Sequence, residues 1–284
     1  MTLPRLRRML PADVEPTVTA ILADDWGDRR GWFTFALSSS ACRVYVAEDD
    51  DGDIAGTGVA TIYGPVGWIG TIWVAPAHRG HGLGRALTAA TIDAAETAGC
   101  RTLVLVATDR GRPLYEGLGF EVQTWYRTME APGLDADAPD PTGDDVSRIR
   151  PYRPEDLDSI AALDRAATGE DRAAVIAELA APDGTRVLER DRGIGGFVIR
   201  APWGGGATVA PRVEDALAIL HARRVAAGPG KRVRCGILAE NSAGADALEA
   251  DGWTEAWRAP RLIRGEPLDW QPDQIWGQFN HAMG

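Results

Sequence analysis

Val74-Ala75-Pro76-Ala77-His78-Arg79-Gly80-His81-Gly82-Leu83-Gly84-Arg85-Ala86-Leu87 is the stretch that decides the fold. A β-rich run ends at Pro76, and a glycine-rich loop then opens an amphipathic helix. Three glycines within five residues (Gly80, Gly82 and Gly84) let several backbone N–H groups turn toward one point. The helix N-terminus adds the positive end of its dipole, and Arg79 adds a full charge. Such a nest suits a pyrophosphate. Glycine-rich helix starts also serve close packing, so the spacing alone is a weak signal. No Gly-Lys-Ser/Thr follows, which excludes a P-loop. The preceding strand does not open a βαβ unit with an acidic ribose partner, which argues against a Rossmann site.

Outward from this stretch, a strand near Leu6–Leu10 leads into a helix over about Ala12–Ala23. Val44–Glu48 reads as a strand, and Asp49-Asp50-Asp51-Gly52-Asp53 as an acidic hairpin turn. Strands follow over Ile54–Tyr63 and Gly67–Val74. A helix over Gly82–Ala98 carries Leu83, Leu87, Ala90 and Ala94 on one face and stops at Gly99. Leu103–Ala107 is a short apolar strand, Arg112–Gly117 a helix and Val122–Glu130 a last strand. Antiparallel strands feeding a strand–helix–strand crossover make the fold class mixed α/β (α+β, with a mixed sheet).

Ala131 to Asp145 is rich in Pro, Gly and Asp with one large apolar residue, and reads as a linker. The parts on either side repeat one another. Arg5–Val14 matches Arg148–Leu157, Thr71–Pro76 matches Ala207–Pro211, and Leu114–Phe120 matches Ala247–Trp253, in the same order. A period this long indicates two similar domains rather than a solenoid. The expected organisation is a first domain over 1–130, a linker over 131–147 and a degenerate second copy over 148–284.

The 284 residues carry a net charge of −11, which demotes nucleic acid as a partner. An acidic field would attract cationic amines, although such a balance commonly serves solubility alone. Cys42, Cys100 and Cys235 are odd in number and far apart, so neither a zinc site nor a disulfide framework is expected. The N-terminus lacks a signal-peptide apolar run, and no segment approaches a membrane span. A cytoplasmic protein without a metal or a membrane partner, monomeric or homodimeric, is the expectation.

Arg79-x-x-Gly82-x-Gly84 after a strand ending Trp73-Val74 resembles the signature of the GNAT acyltransferase superfamily. Asp109-Arg110-Gly111-Arg112-Pro113-Leu114-Tyr115-Glu116-Gly117-Leu118-Gly119-Phe120 resembles that family's second cofactor motif. The second half, through Arg150–Leu157 and Ala161–Gly169, is similar to the C-terminal domain of two-domain, YitH-like members. The resemblance implies tandem GNAT folds with the second copy degenerate, and acetyl-coenzyme A as co-substrate. It implies that the backbone of Ile72, Trp73 and Val74 pairs with the pantetheine arm. The loop residues Arg79, Gly80, His81, Gly82, Leu83, Gly84 and Arg85 would hold the pyrophosphate. Tyr115 would act as general acid toward the coenzyme thiolate. In the second copy no glycine follows Pro211, Glu214 and Asp215 stand at the phosphate position, and Leu248 replaces the tyrosine. One coenzyme per chain follows.

The implied chemistry is N-acetylation of a small primary amine or amino-acid-like acceptor by direct transfer in a ternary complex. Two alternatives stay open: acetylation of a protein N-terminus or lysine, and a non-catalytic acyl-coenzyme A sensor. Glu48 is the candidate base, at a strand end beside the acidic turn; His78 and His81 flank the phosphate loop. The aromatic and apolar tail Trp276–Gly284 should dock rather than fray, as an edge strand or, by resemblance to tandem-GNAT N-myristoyltransferases, with His281 or the terminal carboxylate reaching the site. Trp26, Trp32, Trp68 and Trp125 are candidates to line an acceptor pocket between the domains, and an aromatic-lined, acidic cleft there would suit an amine with an apolar body.

Overall fold

In the computed structural model, residues 3–139, 143 and 148–284 are described; residues 140–142 and 144–147 of the expected linker lie outside them. The first half runs β1 (Arg5–Arg8), α1 (Val14–Leu22), α2 (Arg30–Ser38), β2 (Cys42–Glu48), β3 (Ile54–Tyr63), β4 (Val66–Val74), α3 (Leu83–Thr97), β5 (Thr102–Val106), α4 (Arg112–Glu116) and β6 (Glu121–Pro132). The second runs β7 (Ile149–Pro151), α5 (Leu157–Thr168), α6 (Ala173–Leu179), β8 (Thr185–Arg190), β9 (Gly193–Arg200), β10 (Gly206–Val209), α7 (Val213–Ala227), β11 (Arg232–Leu238), α8 (Ser242–Ala250), β12 (Thr254–Gly265) and β13 (Ile275–Gly277). The sequence offers no strong signal for α2. It has no side-chain cap, and tertiary burial of Trp32, Phe33 and Ala36 holds it in place.

The sheets do not respect the division into halves. One has eight strands in the order β1-β2-β3-β4-β5-β12-β6-β11, and the other five in the order β13-β10-β9-β8-β7. The last long strand of the second half thus lies between β5 and β6. It pairs antiparallel with β5 (Arg261↔Val106) and with β6 (Pro260↔Trp125). In return β6 leaves its own β5 and pairs with β11 (Thr128↔Gly236). Each half's sheet is therefore continued by a strand from the other. The division into domains at 130 and 148 stands as a proposal about ancestry; in the structure the two halves share strands.

The duplication extends to individual hydrogen bonds. Arg7 donates to both carboxylate oxygens of Asp13 (2.6 and 2.9 Å) and to Glu48 (2.8 Å from Nε). Arg150 donates to Asp156 (2.7 and 2.8 Å) and to Glu189 (2.5 Å) in the same pattern. In both copies the aspartate also accepts a backbone N–H at 2.7 Å, from Leu10 and from Arg153, closing the chain onto the following helix. Glu48 is thereby part of a strand-to-helix clamp that occurs twice.

The main core crosses both halves, taking Trp68 and Tyr126 from one and Ile160, Phe197, Phe279 and Met283 from the other. Fully buried charges sit within this junction. Arg172 donates twice to Asp164 (2.9 and 2.5 Å), and the Trp68 indole donates to Glu170 at 3.0 Å. Arg261 of β12 lies 3.6 Å from Glu170 and stacks on Trp270 at 4.3 Å.

The hydrogen bonds from Arg7 and Arg150 hold Asp13 and Asp156 below the usual carboxylate range. Their contribution is complete above about pH 4 and is lost as pH falls through the depressed values. Asp13→Asn and Asp156→Asn should each destabilise by about 1–3 kcal/mol at pH 7, and the difference from wild type should shrink toward pH 2. Urea unfolding across that range checks both.

Candidate active site

A cavity of about 1050 Å³ opens where β4 and β5 part. Their parallel pairing runs from Val66↔Thr102 to Trp68↔Val104 and ends there. One residue of β3, Gly58, faces two of β4, Thr71 and Ile72, between the pairs Val59↔Gly70 and Thr57↔Trp73. Thr71 sits at φ +52, an unusual value for a β-branched residue. This bulge bends β4 away from β5. Backbone from Ile69 to Val74 thus faces the cavity instead of a neighbouring strand. Such an edge can take an extended ligand arm by strand-like pairing.

The loop after β4 behaves as its glycines require. Gly80 and Gly82 adopt φ +81 and +88, and a Cβ on either would meet nothing within 4 Å, so their freedom of φ is what the loop uses. The first backbone bond of α3 runs from the Ala86 N–H to the Gly82 carbonyl. The amides from Leu83 to Arg85 therefore leave the helix end without intrahelical partners. Ile72, Trp73, Val74, Arg79, Gly80 and Gly84 line the cavity. His81, Gly82, Leu83 and Arg85 do not; Leu83 is buried against Leu87, while His81 and Gly82 are exposed on the loop and Arg85 on the first turn of α3. Arg79 differs from the sequence expectation of a free charge. Its Nε donates to the Val74 carbonyl at 2.9 Å and its Nη2 to Asp24, which also accepts from the Trp73 indole at 2.9 Å. Arg79 fixes the end of β4, and Asp24 balances its charge.

Tyr115 lines the same cavity from α4, edge-on to Phe120 with ring centres 6.3 Å apart. Burial pushes its phenol up to about 12, so it carries its proton throughout the neutral range. Glu48 does not line the cavity; Arg7 holds it at the C-terminal end of β2. His78 does line the cavity and pairs with Asp49 at 3.2 Å.

The tail does two things. β13 pairs with β10, the edge expected from sequence, through Thr208↔Gly277 and Val209↔Ile275. Residues 278–284 then cross onto the first half. The Tyr63 hydroxyl donates to the Met283 carbonyl at 2.7 Å, and a Cβ on Gly70 would lie 2.4 Å from the Ala282 Cα. His281 enters the cavity 5.0 Å from the Trp257 ring, with Gln278 against its Nδ1. Its ring is open to the cavity, and the packed surroundings with the Arg29 charge push its imidazole down from its ordinary value.

The second copy's slot is filled by the chain itself. β13 pairs with β10 and packs against β11, where the first copy has its parted strands. Gly206 N–H donates to the Gln278 carbonyl and Ala210 N–H to that of Gln274, both at 3.0 Å. The Trp276 indole donates to the Ala210 carbonyl at 3.0 Å. In the first turn of α7, Asp215 is 1% exposed and paired with Arg190, so a carboxylate already occupies the helix start.

The cavity is not the acidic cleft that would suit an ammonium group. Asp25 is the one acidic residue among its described lining, against Arg29, Arg79, Arg110, Arg223 and Arg234. The chain's net charge is a sum over its whole surface and does not fix the sign of a site. Of the tryptophans named from sequence, Trp26 and Trp32 line the cavity; Trp68 and Trp125 do not, and Trp203 and Trp257 of the second half join instead. Among the described residues no group of three His, Cys, Asp or Glu is placed to hold a metal, and no helix is long and apolar enough to cross a membrane.

Residues 7–120 match the model of the acetyltransferase (GNAT) family. A Pyrococcus horikoshii protein named as an acetyltransferase has a similar structure, with TM-score 0.79 at 18% identity over 99% of this chain and 95% of its own. A GCN5-related N-acetyltransferase from Sphaerobacter thermophilus matches with TM-score 0.61 at 18% identity, covering 95% of this chain and 100% of the other. A tandem GNAT protein from the clavulanic acid biosynthesis pathway matches with TM-score 0.60 at 16% identity, covering 94% and 100%. At these identities the likeness carries the fold, a tandem GNAT arrangement over nearly the whole chain.

Gly70→Val should displace residues 278–284 from β4 and destabilise by about 1–3 kcal/mol through overpacking. Gly236→Ala, where a Cβ meets nothing within 4 Å, should leave the tail in place. Limited carboxypeptidase digestion, read by mass spectrometry, should release the tail faster from the first variant alone.

Proposed function

We propose that the chain, whose residues 7–120 match the acetyltransferase (GNAT) family model, is a cytoplasmic acetyl-coenzyme A-dependent N-acetyltransferase that acetylates a small primary amine by direct transfer in a ternary complex. The observation that carries this is the coincidence of three features in one cavity: the parted β4–β5 edge, the glycine-opened start of α3 and the protonated Tyr115. The parted edge suits the pantetheine arm, and the amides from Gly80 to Arg85 suit the pyrophosphate. The coenzyme supplies an activated acetyl thioester. One coenzyme per chain is proposed, since β13 and Asp215 fill the corresponding places in the second half.

The acceptor must be a neutral amine to attack. An alkylamine of pKa about 10.4 is neutral about once in 2,500 at pH 7, a deficit of roughly 4.6 kcal/mol. Glu48 is too far engaged with Arg7 to remedy this. The cavity itself can: burial and the Arg29 and Arg223 charges both disfavour an ammonium ion. His281, neutral at pH 7, is suited to accept a hydrogen bond from the amine, or its proton once the tetrahedral adduct has made it acidic. Tyr115, at about 12, exceeds a thiol's pKa of about 8.5, so it donates a hydrogen bond to the departing sulfur more readily than a proton.

The test is release of free coenzyme A from acetyl-coenzyme A in the presence of a panel of primary amines, followed with a thiol reagent. Amine-dependent release is expected, with kcat/KM rising with pH through the neutral range. Tyr115→Phe should lower kcat about 10-fold while leaving the KM for the coenzyme within about twofold, the pattern of an interaction made mainly in the transition state. Coenzyme binding without amine-dependent release would favour a sensor.

A further inference from the structure

The cavity does not end at the first half. His281 lies against Trp257 of β12, and Trp257 is paired with Thr128 of β6, which is paired with Gly236 of β11. All four line the cavity, and so does Arg223, reaching from α7 to the edge of β11. Arg223 is unlike most arginines of this chain. Its Nη2 donates to the Arg234 carbonyl at 2.9 Å, while Nε and Nη1 are buried without a partner. Among the described residues no carboxylate forms an ion pair with it, nor with its cationic neighbour Arg200. The nearby Arg234 is balanced by Glu130 at 2.7 Å, so it offers Arg223 no anion. Burial, with the Arg200 charge adding to it, lowers the Arg223 guanidinium to about 10. A guanidinium with two buried N–H-bearing nitrogens left unpartnered is costly unless an anion joins it.

We propose that this end of the cavity is an anion subsite, in which Arg223 holds a carboxylate carried by the acceptor roughly 10 Å or more from its reacting amine, the length of two strand spacings from Trp257 to Gly236. The inference rests on the acetyl-transfer reading for the role of the other end. It narrows the acceptor to an extended primary amine with a distal anionic group, such as a short peptide with a free C-terminus. A single α-amino acid is too short to reach both ends. The second half thereby contributes specificity to a reaction whose coenzyme sits in the first.

The experiment uses the full-length chain and alanine peptides of one to five residues, each as the free acid and as the C-terminal amide. Coenzyme A release gives kcat/KM, and quenching of the cavity tryptophans gives binding of the same peptides. An extended chain advances about 3.3–3.6 Å per residue, so the subsite should come within reach at about three residues. From that length on, the free acid should be favoured about 10- to 100-fold over the amide, the range of a charge-assisted contact. Arg223→Met should erase the preference and Arg223→Lys restore part of it; comparing variant with wild type cancels the difference in amine basicity within each pair. Equal use of acid and amide at every length would overturn the proposal. So would a preference that survives Arg223→Met, or one that is greatest for single alanine and is abolished by Arg29→Met instead. Should Arg223→Met fail to fold, the wild-type acid-to-amide ratio against length decides by itself. An acid preference in binding, appearing at about three residues but without turnover of any peptide, would uphold the subsite and sink the transferase reading.

Discussion

The antiparallel pairing of β6 with β12 is the constraint on which the rest of the molecule depends. Those two strands come from different halves, and each continues the other half's sheet. Because β12 lies against β5, the chain beyond it returns beside the parted end of β4. Residues 278–284 can then cross onto the first half, and His281 can enter its cavity. Because β6 lies against β11, the sheet runs uninterrupted from the glycine-loop side to Arg223. A cavity shared by both halves is the direct consequence.

The same local geometry is put to opposite uses. In the first copy a bulge at Thr71 and Ile72 bends β4 outward, and the helix start beyond it presents amides framed by Gly80 and Gly82. In the second, β13 supplies its own backbone to β10 and the Asp215 carboxylate sits in the first turn of α7. A strand edge and a helix N-terminus are open demands for hydrogen bonds and negative charge. The second copy meets them internally, and this stabilises the junction by closing a slot that duplication left over.

Much of this was legible in the sequence where the signal was local. The mixed α/β class, the helix opened by Gly82, the turn before Tyr115 and the duplication all rest on short motifs and periodicity. The exchange of strands was not legible, because nothing in the residue pattern of β6 or β12 names the neighbour it pairs with. Glu48 stands at a strand end as a candidate base, yet the repeat held the missing clue: Glu189 stands near the end of the corresponding strand, where Arg150 takes it as Arg7 takes Glu48. Arg79 looked like a phosphate ligand because its partner Asp24 is 55 residues away in sequence. The sign of the cavity was hidden for a similar reason, since Arg29 and Arg223 meet only through tertiary structure.

The central claim is that a diphosphate-bearing thioester occupies the first copy's slot and is excluded from the second. Calorimetric titration of the full chain with acetyl-coenzyme A tests it most directly. The account predicts one site per chain, lost when Gly80 and Gly82 are both replaced by valine and retained when Asp215 is replaced by asparagine. Two sites per chain, no binding at all, or undiminished binding in the double valine variant would contradict it.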